Sequence, residues 1–227
     1  MKKRGAHPKD QELFHLKKQE ILKNAVKDLS WLLTRGYPKN SSLTLVGNRY
    51  SLKDRQRIAV GRCSFSKEQI FKRKKTNIKK IKDQVILIDG FNILTTVETF
   101  LGGGIILQGQ DGVIRDMASV HGTYRLLRDT PKAIELIGKE LQKLKPKKVI
   151  WYLDYPVSNS GRLKVLLEKL AKKFHWKWEV NLVQNPDQIL ISKNEITLTG
   201  DSGILDNISK WFNILEILLD QKRVLKL

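Results

Sequence analysis

The sequence predicts an α/β protein, in which a parallel sheet flanked by helices follows a small, mainly α-helical, basic domain. From residue 85 onward, short apolar strand patterns alternate with amphipathic helical patterns, as they do in chains that form parallel sheets. Before that point, apolar residues recur every three or four positions, which indicates helices. The change of pattern predicts a helical domain of residues 1–84 and an α/β domain of residues 85–227.

The basic domain is predicted to contain three helices. The first carries apolar positions from Leu13 to Leu33 and ends at Gly36 and Pro38. The following stretch, YPKNSSLTLVGNRY, is predicted to be a loop with a short strand at LTLV. Ser51 is a candidate cap for a second helix in SLKDRQRIAVGR, and a third helix covers SKEQIFKRKK. The basic segment FKRKKTNIKKIKDQ then connects the two domains.

The α/β domain is predicted to contain four sheet strands and several helices. The strand patterns are VILID (85–89), KKVIWYLD (147–154), WKWEVNLV (176–183) and EITLTGD (195–201). The helical patterns cover residues 112–128, 130–144, 160–174 and 207–221. Thr130 is a candidate N-cap, because Pro131 suits the first helical position. About 55 residues separate the first two strands, and GGGIILQGQDG within them is predicted to form a hairpin.

Charge is distributed unevenly along the chain. The 227 residues include 43 Lys and Arg against 23 Asp and Glu, a net charge of +20. Residues 1–84 hold 23 basic and 7 acidic side chains, a net charge of +16, whereas the remaining residues carry only +4. A basic excess confined to one region is typical of a polyanion binder, and RNA is the partner that it favours. A lysine-rich proteome is the alternative, although it would raise the charge everywhere.

Several classes of protein lack support in the sequence. No apolar run approaches the roughly 20 residues of a membrane-spanning helix, and MKKRGAHPKDQELF lacks the apolar core of a secretory signal. With Cys63 as the one cysteine, neither an internal disulfide nor a Cys/His zinc site is expected. Nucleophile-elbow, dinucleotide-binding and P-loop motifs do not occur. The sequence therefore predicts a cytoplasmic protein that has no membrane partner.

Aspartates follow the predicted strands. Asp89, Asp154 and Asp201 each end a strand pattern, and Asp187 comes shortly after the third strand. Ligands bind at the carboxyl ends of the strands in open parallel sheets. Clustered carboxylates need a counter-charge, which Mg²⁺ supplies through oxygen ligands, and Asn92 is a candidate to orient a carboxylate or a bound water. For each aspartate taken alone, ordinary turn or capping chemistry is the alternative.

Basic residues in the helical domain are candidates for RNA contact. Tyr50 adds an aromatic ring suited to base stacking, although Arg55 has the alternative of pairing with a nearby acid. Trp31 and Trp211 are predicted to pack on apolar helix faces. The candidate nucleic-acid-binding residues of this domain are Arg49, Lys53, Arg55, Arg57 and Arg62.

Two further segments are candidates for phosphate binding. Arg115 and Asp116 are predicted on the helix of residues 112–128, where they either serve the site or form a surface ion pair. On the same helix, His121 is either a polar surface residue or a general base. In DYPVSNSGR, a helix N-terminus with Ser160 and Arg162 suits a phosphate, and simple capping by a serine is the alternative.

The strand-end motifs resemble those of a known fold. VILIDGFNIL, followed far downstream by LTGDSGILD, resembles the PIN-like nucleases and among them the NYN-type branch. The matching positions are Asp89 with Asn92, Asp154, Asp187, and Thr199-Gly200-Asp201. The resemblance covers residues 85–206 and implies a PIN-like (Rossmannoid) domain with Mg²⁺- or Mn²⁺-dependent cleavage of RNA. The whole chain also resembles a poorly characterised prokaryotic family that pairs a basic N-terminal domain with such a C-terminal domain.

These observations predict a metal-dependent ribonuclease. The helical domain is expected to hold RNA, and Asp89, Asp154, Asp187 and Asp201, with Asn92, are expected to form the catalytic and metal-binding site. Two alternatives remain at the level of the sequence. One is a nuclease-like domain that binds RNA without cutting it, and the other is an enzyme that acts on nucleotides or small phosphoesters.

Overall fold

The computed structural model describes residues 4–5, 7–118 and 122–227, so that His121 lies outside the described residues. None of the helices in these ranges is long and apolar enough to cross a membrane. The helices are Asp10–Phe14 (α1), Leu16–Thr34 (α2), Lys39–Arg49 (α3), Asp54–Cys63 (α4), Lys67–Thr76 (α5), Gly90–Leu101 (α6), Thr130–Leu144 (α7), Ser160–Lys173 (α8), Pro186–Ser192 (α9), Ser202–Leu205 (α10) and Ile214–Leu218 (α11). The strands are Val85–Asp89 (β1), Ile106–Gln108 (β2), Ile114–Asp116 (β3), Lys148–Asp154 (β4), Trp178–Val183 (β5), Ile196–Leu198 (β6) and Val224–Lys226 (β7).

The main sheet is parallel and has the strand order β5-β4-β1-β6. Successive side chains of a strand point to opposite faces of the sheet. Ile86 and Ile88 of β1 accordingly join the core formed with α7 and α8, whereas Leu87 packs in a second core with Leu190 and Ile204. Apolar residues cover both faces of the central strand, as expected for a parallel sheet. The predicted parallel sheet flanked by helices is confirmed.

The segment between β1 and β4 forms a hairpin where the sequence predicted a helix. Strands β2 and β3 pair antiparallel, with Ile106 opposite Asp116, and β7 pairs parallel with the other edge of β2. The predicted hairpin is confirmed in its strand and turn, but its second strand, β3, lies beyond GGGIILQGQDG. The helix predicted over residues 112–128 is wrong. Gly112 has a φ of +79°, a left-handed conformation that suits the turn between β2 and β3 and not the start of a helix. Ile114, Arg115 and Asp116 are then all buried between the hairpin and its neighbours.

Two other sequence predictions are wrong for reasons of packing. LTLV lies within α3, because Ser42 and Val46 are spaced one helical turn apart and both are buried. The helix predicted over residues 207–221 is restricted to α11. Trp211 instead continues the sheet, since it bridges to Thr197 and its indole N–H donates to the Arg73 carbonyl over 2.7 Å. Packing thus decides against a predicted strand in the first segment and against most of a predicted helix in the second.

The helices of residues 1–84 pack directly on the hairpin. Their apolar core includes Leu107 of β2 and Met117, which follows β3. Arg73 of α5, which is fully buried, forms ion pairs with Asp111 over 2.7 Å and with Asp206 over 2.6 Å. Apolar burial and buried charge pairs therefore connect the helical region to the parts of the chain that surround the main sheet.

Candidate functional site

The candidate site lies at the carboxyl ends of β1 and β6. Asp89 is the last residue of β1, and Gly90 begins α6. A Cβ atom at Gly90 would lie only 2.8 Å from the Tyr152 carbonyl oxygen and would collide with the Leu153 side chain. Only glycine therefore permits α6 to leave the sheet at this point, and this turn places Asn92 beside the end of β6.

Hydrogen bonds join the Asp89 and Thr199 segments. The Thr199 hydroxyl donates to Asp89 Oδ2 over 2.7 Å, and the Gly200 N–H donates to Asn92 Oδ1 over 2.7 Å. The Asp201 N–H donates to Thr199 Oγ1 over 3.0 Å. These bonds hold the two motifs that carried the resemblance to PIN-like nucleases in one rigid arrangement.

Asp89 is a buried carboxyl group with acidic neighbours. Its side chain is hydrogen-bonded to Thr199, and the residue is only 9% exposed. Burial, with a smaller contribution from the Asp187 and Asp201 carboxylates, raises the pKa of Asp89 to about 7 against the opposing Thr199 hydrogen bond. Burial and Asp201 likewise raise the pKa of Asp187. The charges of Asp187 and Asp201 therefore act on Asp89, and the charge of Asp201 also acts on Asp187.

Asp154 lies at the border of this group. Asp89 pairs with Tyr152 in the sheet register, so β4 extends two residues beyond β1 before it reaches Asp154. Burial, followed by the Asp187 carboxylate, raises the pKa of Asp154. Asp154 does not line the cavity described next, although it senses the charge of Asp187. Within the described ranges, none of the four aspartates forms an ion pair.

A cavity of about 410 Å³, which we call the carboxylate cavity, opens at this edge of the sheet. Acidic and basic side chains line it together, and the basic ones come from three different elements. The polar and charged lining residues are Asp89, Asn92, Thr95, Thr96, Asp116, Asp187, Asp201 and Ser202, with Lys39, Arg62 and Arg115. Such a cavity offers carboxylates for a cation and positive charge for an anion.

Arg115 is held rigidly at the back of the carboxylate cavity. Its guanidinium forms two hydrogen bonds with Asp111, of 2.7 and 3.0 Å, and its Nε donates to the Gly200 carbonyl over 2.8 Å. Burial disfavours the ionised form of Asp111, but its hydrogen bonds and charge interactions with the Arg115 and Arg73 guanidinium groups outweigh this and lower the pKa of Asp111. Arg115 therefore supports the Thr199-Gly200-Asp201 turn from behind and is not a surface residue.

Lys39 differs from the arginines of the cavity. It is the first residue of α3, and its Nζ lies 5.6 Å from the centroid of the Phe65 ring. Burial, followed by the Arg115 and Arg73 charges, lowers the pKa of Lys39. In the part of the chain that the structure describes, Lys39 forms no ion pair. An ammonium group among other cations favours binding of an anion.

Asp116 and Arg62 form one corner of the carboxylate cavity. Asp116 lies in β3 and accepts hydrogen bonds from the Thr96 hydroxyl over 2.7 Å and from the Ala118 N–H over 2.6 Å. Burial raises its pKa despite these bonds. Arg62 of α4 donates to the Asp116 and Ala118 carbonyls. This arginine therefore fixes the end of the hairpin and lines the cavity at the same time.

The remaining candidate residues lie outside the carboxylate cavity. Arg55 donates to the Asp10 carboxylate and to the Gly5 carbonyl, and Arg57 donates to the Leu52 carbonyl and to Asn48. These two arginines stabilise the helical region itself. Arg49, Lys53 and Arg162 are exposed.

Ser160 is buried at the start of α8 and donates to the Tyr155 carbonyl over 3.2 Å. Capping by a serine, which was the alternative to phosphate binding here, is wrong, because Asn159 is the N-cap residue and makes no side-chain capping bond. Asn159 has a φ of +66°, a conformation that asparagine adopts more readily than serine. Its side chain donates instead to the Tyr124 carbonyl over 2.7 Å.

The donor set suits a weakly coordinated hard cation. Among the described residues, no group of three or more His, Cys, Asp or Glu side chains is close enough to form a complete metal site. Mg²⁺, however, is commonly held by one or two carboxylates, several waters and the phosphates of a substrate. Asp89, Asp187 and Asp201 line one cavity and form no ion pair with any described residue, so they fit a cation of that kind.

The sequence did not single out Lys39 or Asp111. Lys39 follows Pro38 at a helix start, an ordinary surface position in the sequence, and it reaches the cavity only because α3 packs beside the sheet edge. Asp111 was assigned to a turn, and it is the buried carboxylate that joins Arg73 to Arg115. A buried acid in a Gly-Gln-Asp-Gly turn carries no signal that distinguishes it from an exposed one.

Comparisons with known proteins place the chain among its relatives. A family described as "Domain of unknown function (DUF5616)" matches residues 78–217, and one described as "Protein of unknown function (DUF434)" matches residues 21–76. The uncharacterized protein MJ0935 of Methanocaldococcus jannaschii is 36% identical over 186 residues, which cover 81% of this chain and 88% of that protein. No solved structure matches the chain significantly. Since the first family model spans more than half of its length, the chain belongs to the DUF5616 family.

Proposed function

We propose that this protein is a divalent-cation-dependent ribonuclease that hydrolyses RNA phosphodiester bonds in the carboxylate cavity. The observation that carries the proposal is the juxtaposition of Asp89, Asp187 and Asp201 with Lys39 in one cavity. A scissile phosphodiester carries one negative charge, and its reaction needs both a bound cation and a positive contact to its oxygens. The basic excess of residues 1–84 favours RNA over a small phosphoester.

The same arrangement supports a PIN-like assignment for the α/β domain. The four-stranded parallel order β5-β4-β1-β6 puts β1 beside β6, as the two motifs of the resemblance require. Asp89, Asp187 and Asp201 would hold Mg²⁺ or Mn²⁺. When bound, such a cation supplies charge neutralisation and lowers the pKa of a coordinated water.

Four residues at the carboxylate cavity support the metal-binding aspartates in this proposal. Thr199 and Asn92 orient the Asp89 and Asp201 segments through their hydrogen bonds. Lys39 contacts a non-bridging phosphate oxygen and offsets the charge that grows there during attack. Arg115 keeps the Gly200 turn in place through the Gly200 carbonyl.

Hydrolysis places few covalent demands on the protein. Water oxygen bonds to phosphorus, the bond from phosphorus to one ribose oxygen breaks, and that oxygen gains a proton. Asp89 is only partly ionised at neutral pH, because its pKa is about 7, and a positive group beside it would favour the charged form. Occupation of the cavity by a cation is therefore expected to ionise Asp89 and to form the active state.

Cleavage of end-labelled RNA tests the proposal. We expect the wild-type protein to cut RNA with Mg²⁺ or Mn²⁺ and to be inactive with EDTA. Asp89→Asn and Asp201→Asn should each lose at least about 100-fold in rate, as is usual when a residue that acts mainly in the transition state is removed. Asparagine also caps helices well, so Asp201→Asn retains the cap of α10.

Glu195→Gln is the matched control, because Glu195 is an exposed acid at the opposite end of β6 and should leave the rate unchanged. Cleavage that persists in EDTA, or that Asp89→Asn retains, would contradict the proposal.

The second candidate function is RNA binding without cleavage. It is favoured by the lack, within the described residues, of a preformed group of three metal-binding side chains. It predicts RNA affinity with a steep salt dependence and equal behaviour of wild type and both aspartate variants. The cleavage experiment decides between the two functions.

A further inference from the structure

Trp31 is a large aromatic residue that the fold leaves open to solvent. It lies on α2 and is 54% exposed, so it does not pack on an apolar helix face as the sequence predicted. It lines two neighbouring cavities of about 590 and 540 Å³. The Arg35 guanidinium carbon lies 3.5 Å from the centroid of the indole ring. An exposed indole with a cation stacked on it is a preformed platform for a further planar group.

The cavities beside Trp31 lead to the carboxylate cavity. Lys39 and Ser202 line both the carboxylate cavity and the one next to it. Phe65 lines this neighbouring cavity and also the 540 Å³ cavity beside Trp31. Trp31 in turn lines both the 540 Å³ and the 590 Å³ cavities. We call this series of linked cavities, from the strand-end aspartates to Trp31, the basic track.

Positive charge follows the basic track. Lys27, Lys67 and Lys74 line it beside Trp31, and none of them forms an ion pair within the described residues. Apart from the carboxylate cavity itself, Asp28 is the one acid among the described lining residues. Asp28 is already engaged, because the Tyr50 hydroxyl donates to it over 2.9 Å.

We infer that the basic track binds single-stranded nucleic acid, with a base stacked on Trp31 and the phosphates along Lys27, Lys67, Lys74 and Lys39. An unpaired base is required, since a base inside a duplex offers no free face to an aromatic side chain. A basic groove with an aromatic platform is the general solution for holding single strands. Binding along the track does not require catalysis. The inference rests on the proposed function only where it assumes that the bound strand is directed to the site of cleavage.

Binding of a fluorescently labelled oligouridylate, followed by anisotropy in EDTA, tests the track without turnover. We expect Trp31→Ala to weaken binding by about tenfold or more, in line with the loss of one base–aromatic stack. We expect Lys67→Ala combined with Lys74→Ala to weaken binding and to flatten the salt dependence, because two phosphate contacts are lost. Lys39→Ala should act in the same direction.

Lys169→Ala and Val165→Ala are the matched controls, since both residues are exposed on α8, away from every cavity of the track. Circular dichroism establishes that each variant is folded. Equal affinity of wild type and Trp31→Ala for the oligouridylate would overturn the inference. Tighter binding of a duplex, or of an acidic polypeptide, than of the single strand would also overturn the inference.

The outcomes separate the two proposals. Trp31-dependent binding without cleavage in Mg²⁺ would retain the track and reject the ribonuclease. Asp89-dependent cleavage with no effect of Trp31→Ala on binding would retain the ribonuclease and reject the track.

Discussion

At the scale of single residues, Asp89 is the group with the most unusual environment. It ends the central strand, is nearly inaccessible to water, and faces Asp187 and Asp201 across one cavity. Its carboxylate is oriented by the Thr199 hydroxyl, which by itself does not offset the cost of burial. An ionised carboxylate in such surroundings lowers the stability of the protein, and groups of this kind are concentrated at functional sites.

The raised pKa of Asp89 predicts a pH-dependent cost to folding. The unfolded carboxyl ionises near 3.8, whereas burial raises the folded pKa to about 7. The folded state therefore binds the extra proton between these values, and the contribution of Asp89 to the free energy of unfolding falls as pH rises through this window. At pH 8, Asp89→Asn should be more stable than wild type by roughly 2–4 kcal/mol, and the difference should vanish near pH 4.

Urea unfolding of both proteins at several pH values, in EDTA, measures this difference directly. Addition of Mg²⁺ at pH 8 should stabilise the wild type more than the variant. A variant that is less stable than wild type at pH 8, with an unchanged fold, would contradict the raised pKa.

Sequence reasoning located most of the acidic side of the candidate site. Asp89, Asp187 and Asp201 meet at one cavity, because parallel strands end at one edge of a sheet and this property is visible in a strand pattern. Asp154 falls outside the cavity, since β4 continues two residues beyond the end of β1, and registers are not readable from an isolated sequence. On the basic side, Arg62 and Arg115 were among the candidates and line the cavity, whereas Lys39 was missed, because it reaches the cavity only through the packing of α3.

At the scale of elements, the β1–α6 turn determines where the site can form. Helix α6 begins at once after β1 and carries Asn92 in its first turn. The chain can turn this sharply only because Gly90 passes close to the Tyr152 carbonyl and the Leu153 side chain. The helix was not predicted, since GFNILTTVETFL mixes apolar residues with buried threonines and a buried glutamate and lacks the exposed polar face that marks a surface helix.

Gly90→Ala should be strongly destabilising for this reason. The added methyl group would force β4 and α6 apart, at a cost of about 2–3 kcal/mol or more in the free energy of unfolding. Gly161→Ala is the matched control, because a Cβ atom at that helical position meets no atom within 4 Å. That change should leave stability unchanged or raise it by up to about 1 kcal/mol. Similar losses in the two variants would argue against the close approach at Gly90.

At the scale of the whole molecule, a buried charge network connects the helical region to the rest of the chain. Arg73 pairs with Asp111 and Asp206, and Asp111 also pairs with Arg115. Both guanidinium groups also lie near the centroid of the Phe65 ring, Arg73 at 4.2 Å and Arg115 at 4.7 Å. Because Arg115 donates to the Gly200 carbonyl, the network connects α5 to the turn that carries Asp201.

Removal of Arg73 should destabilise the helical region of residues 1–84 and the α/β region together. Arg73→Met leaves Asp206 unpaired and Asp111 with one partner in place of two, which is expected to cost about 3–5 kcal/mol of the free energy of unfolding. Lys143→Met is the matched control, because it removes the more exposed pair with Glu140 and should cost less than about 1 kcal/mol. Denaturant unfolding measures both values, and a loss below about 1 kcal/mol in Arg73→Met would show that the network is not stabilising.

The α/β class and the helical nature of residues 1–84 were predictable, because both depend on local periodicity. The hairpin strand β3 and the sheet extension at Trp211 were not, since each depends on pairing with another strand and not on the periodicity of its own residues. Ile114 meets Gln108 only after the turn at Gly112 closes, and Trp211 meets Thr197 only beside the finished sheet. Local propensity decides an element only where no distant partner competes for it.

The bonds that assemble the site also have a consequence for how the protein folds. Asp89 meets Thr199 across 110 positions of the chain, and Asn92 meets Gly200 across 108. Closing a loop of that length precedes any gain from the contacts that it permits, so pairings of this kind form slowly and late. The helices, whose contacts are local, have no such delay. Collapsed intermediates would therefore contain most of the helical structure but no functional cavity. During refolding, RNA-cleaving activity is expected to return later than the helical circular dichroism signal.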